Sequence, residues 1–148
     1  MNALDLAQRI HGHLGVLAAI ALLHPAILLR NGAPLSRGAR WSVGLTAGVT
    51  TLAFGAGVSI YESYRAIVKR PLFLADEAAG FLFETKEHLA YAVVALTLGA
   101  AVCAFAAPRK NASLRKLAAA LFAAAALSCA VVVTIGIYVS AIRNFAHP

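Results

Sequence analysis

Six acidic residues and five histidines occur among the 148 residues of the chain, and the histidines hold most of the chemical potential: His11, His13, His24, His88 and His147. Imidazole is the commonest metal ligand and titrates near neutral pH. His13 stands in Gly12-His13-Leu14-Gly15, and His88 in Glu87-His88-Leu89-Ala90. Two neutral imidazoles at one depth on facing helices can grip one metal ion from both sides. The bland alternative is that both only cap helices at an interface. His11 and His13 diverge by about 200° on a helix, so they cannot share an ion there. Glu84, Glu87 and His88 could join them in a zinc or copper site, but no tight ligand spacing supports one. Acids near helix starts are also expected from the helix dipole. His147, next to the C-terminus, is expected to be solvated.

Other reactive patterns are missing from the sequence. There is no Ser-His-Asp set, P-loop or GxGxxG. Cys103 and Cys129 form no CxxC or CxxCH, which removes the zinc ribbon, the thioredoxin-type site and the c-type haem attachment. Both fall in apolar runs and read as small core residues. An electron-transfer or anchor role is expected ahead of a catalytic one.

The elements that must position these residues follow from composition. Hydrophobic residues make up 61% and charged ones 13%, against about 25% charged in soluble domains. Disorder needs the opposite balance. Four stretches lack Asp, Glu, Lys and Arg: Ile10–Leu29, Trp41–Tyr61, Leu89–Pro108 and Leu117–Ile142. Each reaches the roughly 20 residues that cross a hydrocarbon core as helix. The expected fold is an all-α, integral membrane, up-down four-helix bundle, one domain over 1–148. Its approximate helices are 10–30, 41–65, 86–108 and 115–142. The first run has no evident cleavage site and reads as a retained helix. Arg30–Arg40 and Arg109–Lys116 are short connections; Glu62–His88 is a long one, whose stretch Asp76–His88 is expected to form a short interfacial helix.

The net charge of +7 is a membrane signature, and nucleic acid is not an expected partner. Arg30, Arg37, Arg40, Arg109, Lys110, Arg115 and Lys116 occupy the two short connections without one acid, while all six acids lie on the other side. The positive-inside rule puts the short connections in the cytoplasm of a bacterial inner membrane. Both termini and the long connection then face the periplasm, with all four tyrosines near that interface and Trp41 near the inner one.

The two helix pairs resemble each other. His13 and His88 are offset by 75 residues, and the segments ending at Tyr61 and Tyr138 by 77, as in membrane proteins with internal repeats. In ring order 1-2-3-4 the first and third helices are diagonal, about 11–14 Å apart. His13 and His88 would then face each other across the gap as axial ligands of one haem b. Gly15, Gly55, Gly57 and Ala90 would leave room for its flat face. Arg65, Arg143, Tyr61 and Tyr138 would meet its propionates. Buried bis-histidine iron suits electron transfer.

His24 follows His13 by 11 residues, about 16.5 Å along a helix and only about 20° round it. The third helix has Gly99 at the matching position, so a second bis-histidine haem is not supplied. His24 reads as a one-sided ligand, a quinone hydrogen-bond partner or a packing residue, and Pro25 beside it favours a kink. Thr46, Thr50 and Thr51 are expected to bond their own helix carbonyls. Gly44 and Gly48 permit close packing, and Ala118–Ala126 gives the last helix a thin face suited to another subunit.

In span count and in the placement of His13 and His88, the chain resembles small four-helix transmembrane b-type cytochromes. The resemblance implies a haem passing electrons between membrane quinol and periplasmic carriers, or a membrane anchor in a larger redox complex. Redox partner subunits, a periplasmic cytochrome or further copies would be its partners, in addition to lipid. A cofactor-free structural subunit is the competing expectation. Transport ranks third, because no helix carries an internal acid and only His24 and a few threonines supply a polar path.

Overall fold

The computed structural model describes residues Ala3–Ala146 and shows an all-helical chain among them. Helix α1 spans Ala3–Leu29, α2 Arg37–Tyr64, α3 Arg70–Ala75, α4 Glu77–Ala106 and α5 Ala112–Ala146; a π-helical turn, Arg65–Lys69, joins α2 to α3. Four helical stretches are long and apolar enough to cross a membrane: Leu4–Leu29, Arg37–Ala75, Glu77–Ala106 and Ala112–Ile142. Their large apolar side chains point outward as well as inward. Ile20, Leu52, Val102 and Leu127 are each more than 60% exposed, as suits a multi-pass membrane protein whose solvent is lipid.

Helix α1 packs on α2 and α5, and α4 packs on α5 and, less extensively, on α2. This closes the ring expected from the sequence, with the first and third spans diagonal. The α4–α5 seam is built from small residues, Ala100, Ala101 and Ala104 with Ala118, Ala119, Ala125 and Ala126, around a fully buried Phe122. A second apolar cluster, Leu72, Ala79, Phe83, Ile135 and Val139, lies toward the Asp76 end.

The middle connection differs from expectation. Instead of a long loop holding one short helix, it is helical on both sides of one residue, Asp76. The charges that bound the apolar runs mark where the hydrocarbon would stop. They do not stop a helix, which ends where its backbone groups find other partners. Asp76 serves both helices from an extended backbone (φ −155°, ψ 104°). Its N–H donates to Leu72 O at 2.9 Å, ending α3, and its Oδ1 accepts from Ala79 N at 3.1 Å, capping α4. Gly80 lets α3 fold tightly back on α4, because a Cβ there would sit 2.5 Å from the Phe73 ring.

At the opposite end two short turns are fastened by one side chain. Arg115 is 2% exposed. Its Nε donates to Gly32 O at 2.8 Å, Nη1 to Pro108 O at 2.7 Å and Nη2 to Arg109 O at 3.0 Å. Gly32 itself takes φ +68°, and a Cβ there would meet Ala112 O at 2.8 Å.

Helix α1 runs through Pro25 to Leu29. Proline has no N–H for the carbonyl four residues back, which here is Ala21. Thr46 of α2 supplies the missing donor, its Oγ1 donating to Ala21 O at 3.1 Å. A neighbouring hydroxyl repairing a proline gap is the usual accommodation in membrane helices.

Candidate functional site

The expected histidine pair is present but turned away from the bundle interior. His13 and His88 are both exposed. Each bonds the carbonyl one turn back on its own helix, His13 Nδ1 to Arg9 O at 2.7 Å and His88 Nδ1 to Glu84 O at 2.8 Å. Outward-facing groups on diagonal helices leave the axis between them, so one chain does not bring the two imidazoles together. The glycines do not form a cradle either. A Cβ on Gly15 would meet Val133 at 3.6 Å, and Gly57 backs onto His11, whose Cε1 would lie 2.8 Å from a Cβ there. Gly55 is exposed and has nothing near it.

The remaining expected groups scatter at the same end. Tyr61 is half-buried, Arg65 exposed and Tyr138 46% exposed. The side chain of Arg143 and the whole of His147 lie outside the described residues. Among the described residues no three His, Cys, Asp or Glu side chains gather as a metal-ligand set. Cys129 is buried and Cys103 half-buried.

Inside the ring a different set of polar groups converges. His11 is turned inward, as its divergence from His13 requires, and its Nδ1 donates to Ala53 O of α2 at 2.9 Å. Lys86 of α4 lies near enough to act electrostatically on it. The Lys86 ammonium is 5.3 Å from the Phe83 ring centre, and a Cβ on Gly136 of α5 would stand 3.7 Å from it. Beside it, Lys69 pairs with Glu84 at 2.9 Å and with Glu87 at 3.6 Å, while Glu87 Oε1 is buried with no hydrogen-bond partner. Helices α1 and α4 and the π-helical turn therefore supply side chains to one polar level, α2 supplies a carbonyl, and α5 borders it with Gly136.

Sequence reasoning missed Lys86, and placed Glu87 only in a candidate surface metal site, because it treated Glu62–His88 as a connection. With α4 extended back to Glu77, Phe83 and Lys86 fall on the stripe of Val93, Thr97, Ala100 and Ala104, which face inward. The signal was the three- and four-residue spacing itself.

The α1–α2 seam continues the polar theme away from this level. Ser42, Thr46 and Thr50 lie one turn apart on α2, and all are buried. His24 Nδ1 and Ser42 Oγ are 2.7 Å apart in a hydrogen bond. Two of the threonines depart from expectation: Thr46 bonds across to α1 instead of its own helix, and Thr50 Oγ1 has no hydrogen-bond partner among the described residues. Proline 25 explains the first, because it leaves Ala21 O in need of a donor.

No protein-family model matches the chain, and neither a curated protein nor a solved structure matches it.

Proposed function

We propose that the chain is a membrane-embedded electron-transfer subunit that carries haem b on its outer surface, at a boundary with a neighbouring subunit, instead of inside its own bundle. One observation carries this reading. Both His13 and His88 spend Nδ1 on a main-chain carbonyl of their own helix and present Nε2 outward. That is the arrangement that fixes the tautomer and raises the basicity of a metal-binding histidine. The donor set suits iron; the interior, filled here by Phe83, Ile135 and Val139, does not suit a macrocycle. Bound haem would supply reversible one-electron chemistry. His13 of one copy and His88 of a neighbouring copy would hold it, and Arg65, Arg143, Tyr61 and Tyr138 lie toward the end where propionates would need partners. The exposed ring of His24 is the group open to a quinone in the lipid. The Asp76 end would face the periplasm of a bacterial inner membrane.

The test is the visible spectrum of the detergent-solubilised protein, air-oxidised and then dithionite-reduced. Sharp reduced α and β bands are expected, and His13→Ala and His88→Ala should each remove them while the protein still inserts. Stoichiometric haem retained in H88A would overturn the assignment. A second reading, a cofactor-free anchor subunit, is favoured by the hairpin end, where Leu74 is 82%, Ile67 62% and Phe81 55% exposed. Exposed apolar groups gathered on this hairpin fit a docking surface. That reading expects a colourless protein even after haem-supplemented expression.

A further inference from the structure

The short-turn end of the bundle gathers charge of one sign. Arg30, Arg37, Arg40, Arg109, Lys110 and Lys116 are all exposed, and none meets a carboxylate among the described residues. The α1–α2 corner and the α4–α5 corner supply three each, and the Arg115 fastening makes them one surface. Its guanidinium bonds Gly32 O and Arg109 O together, and the Gly32 backbone lies against Ala112. Arg115 itself adds a seventh positive charge just beneath. Carbonyls satisfy its N–H groups but bring no opposite charge, which a buried ion normally requires. Cations held side by side repel one another, so this surface is stabilised by an anion from outside the chain.

Position and neighbours decide which anion. Arg30, Arg40, Arg109 and Lys116 each adjoin the end of an uncharged apolar run, at Leu29, Trp41, Pro108 and Leu117. They therefore stand where hydrocarbon gives way to headgroups. Trp41 beside Arg40 is 63% exposed and Leu117 beside Lys116 is 49% exposed, so apolar surface begins directly under the charges. A second copy in the same orientation has no counter-charge to offer at this level, since all six acids lie on the other side of the runs. We propose that the two corners form one site for an anionic phospholipid, with its phosphate on the cations and its acyl chains along the exposed apolar side chains below. The inference is independent of the haem reading, because the groups that reading uses lie toward the Asp76 end.

The experiment titrates the full chain in neutral detergent with short-chain phosphatidylglycerol, and separately with phosphatidylcholine of the same chains. It follows the thermal midpoint, which a ligand of the folded state raises, each variant being read against itself without lipid. Phosphatidylglycerol should act at the lower concentration, and added salt should weaken that preference. Each Lys or Arg near an anionic surface contributes about fivefold in affinity. Arg30→Gln and Arg109→Gln, one from each corner, should therefore each weaken phosphatidylglycerol binding about fivefold, and together about 25-fold. Arg9→Gln with Arg70→Gln removes the same net charge from exposed positions at the opposite end and should leave the parental affinity. Equal affinity of the parent for the two lipids overturns the proposal. So does parental binding in either single variant, which would confine the site to one corner, or an equal loss in the R9Q/R70Q protein. A midpoint rise of the same size with inorganic phosphate alone would assign the face to a soluble anion and overturn the lipid.

Discussion

Arg115 shows how much one side chain can fix. It is counted in the sequence as one more cytoplasmic cation, yet it is buried and spends its donors on three carbonyls of two different turns. Lysine keeps the charge but lacks the planar fork. Arg115→Lys should therefore strand at least one carbonyl and cost about 1–3 kcal/mol, read as a lower midpoint in detergent unfolding. The charge itself leaves the turn's backbone as the only feature lost, so R115K with parental stability would refute the role. Histidine orientation was half-legible at this scale. Helical geometry alone separates His11 from His13; which of them faces inward depends on a carbonyl of α2 and a glycine facing it, and neither is adjacent in sequence. Glycines beside His13 looked like room for a ligand. In the fold Gly15 is contact space for α5 and Gly12 is open surface.

The elements were legible where hydropathy speaks and illegible where capping decides. All four spans could be read from the absence of charge. The extension of α2 through the π-helical turn and α3 could not, and the helix expected over Asp76–His88 was not seen to be continuous with the third span, because charged residues make good helices outside the hydrocarbon. Asp76 was in view as an N-cap type residue, but nothing local announces that its N–H also closes α3. The tight fold-back at Asp76 depends on a missing side chain. Gly80→Ala would drive a methyl into the Phe73 ring, and overpacking of this kind costs about 1–3 kcal/mol. The expected result is a lower thermal midpoint, recovered in part by pairing Gly80→Ala with Phe73→Ala. A G80A protein as stable as the parent would mean that α3 is free to swing from α4.

Over the whole molecule, the ring order α1-α2-α4-α5 follows from short antiparallel connections and was foreseen. The inside of the ring was not, since the most polar level is made by four chain segments meeting. Burial of Arg115 lowers the exposed cations of the short-turn end to six, still with no acid among Arg30–Arg40 and Arg109–Lys116. The charge asymmetry thus survives the fold, and orientation can be tested directly. With Cys103 and Cys129 replaced, a membrane-impermeant maleimide added to intact cells should label Glu77→Cys and spare Lys110→Cys. The reverse pattern would invert every statement about which face the hairpin serves.

The Arg115 fastening also sets an order in time. Gly32 and Arg115 are 83 residues apart, about 4–17 s of synthesis at ordinary ribosomal speeds. Throughout that interval the first hairpin waits with an unanswered carbonyl at its turn. Only when the last helix begins does its guanidinium arrive, and the chain's final hairpin becomes the latch that tells the first one it is finished.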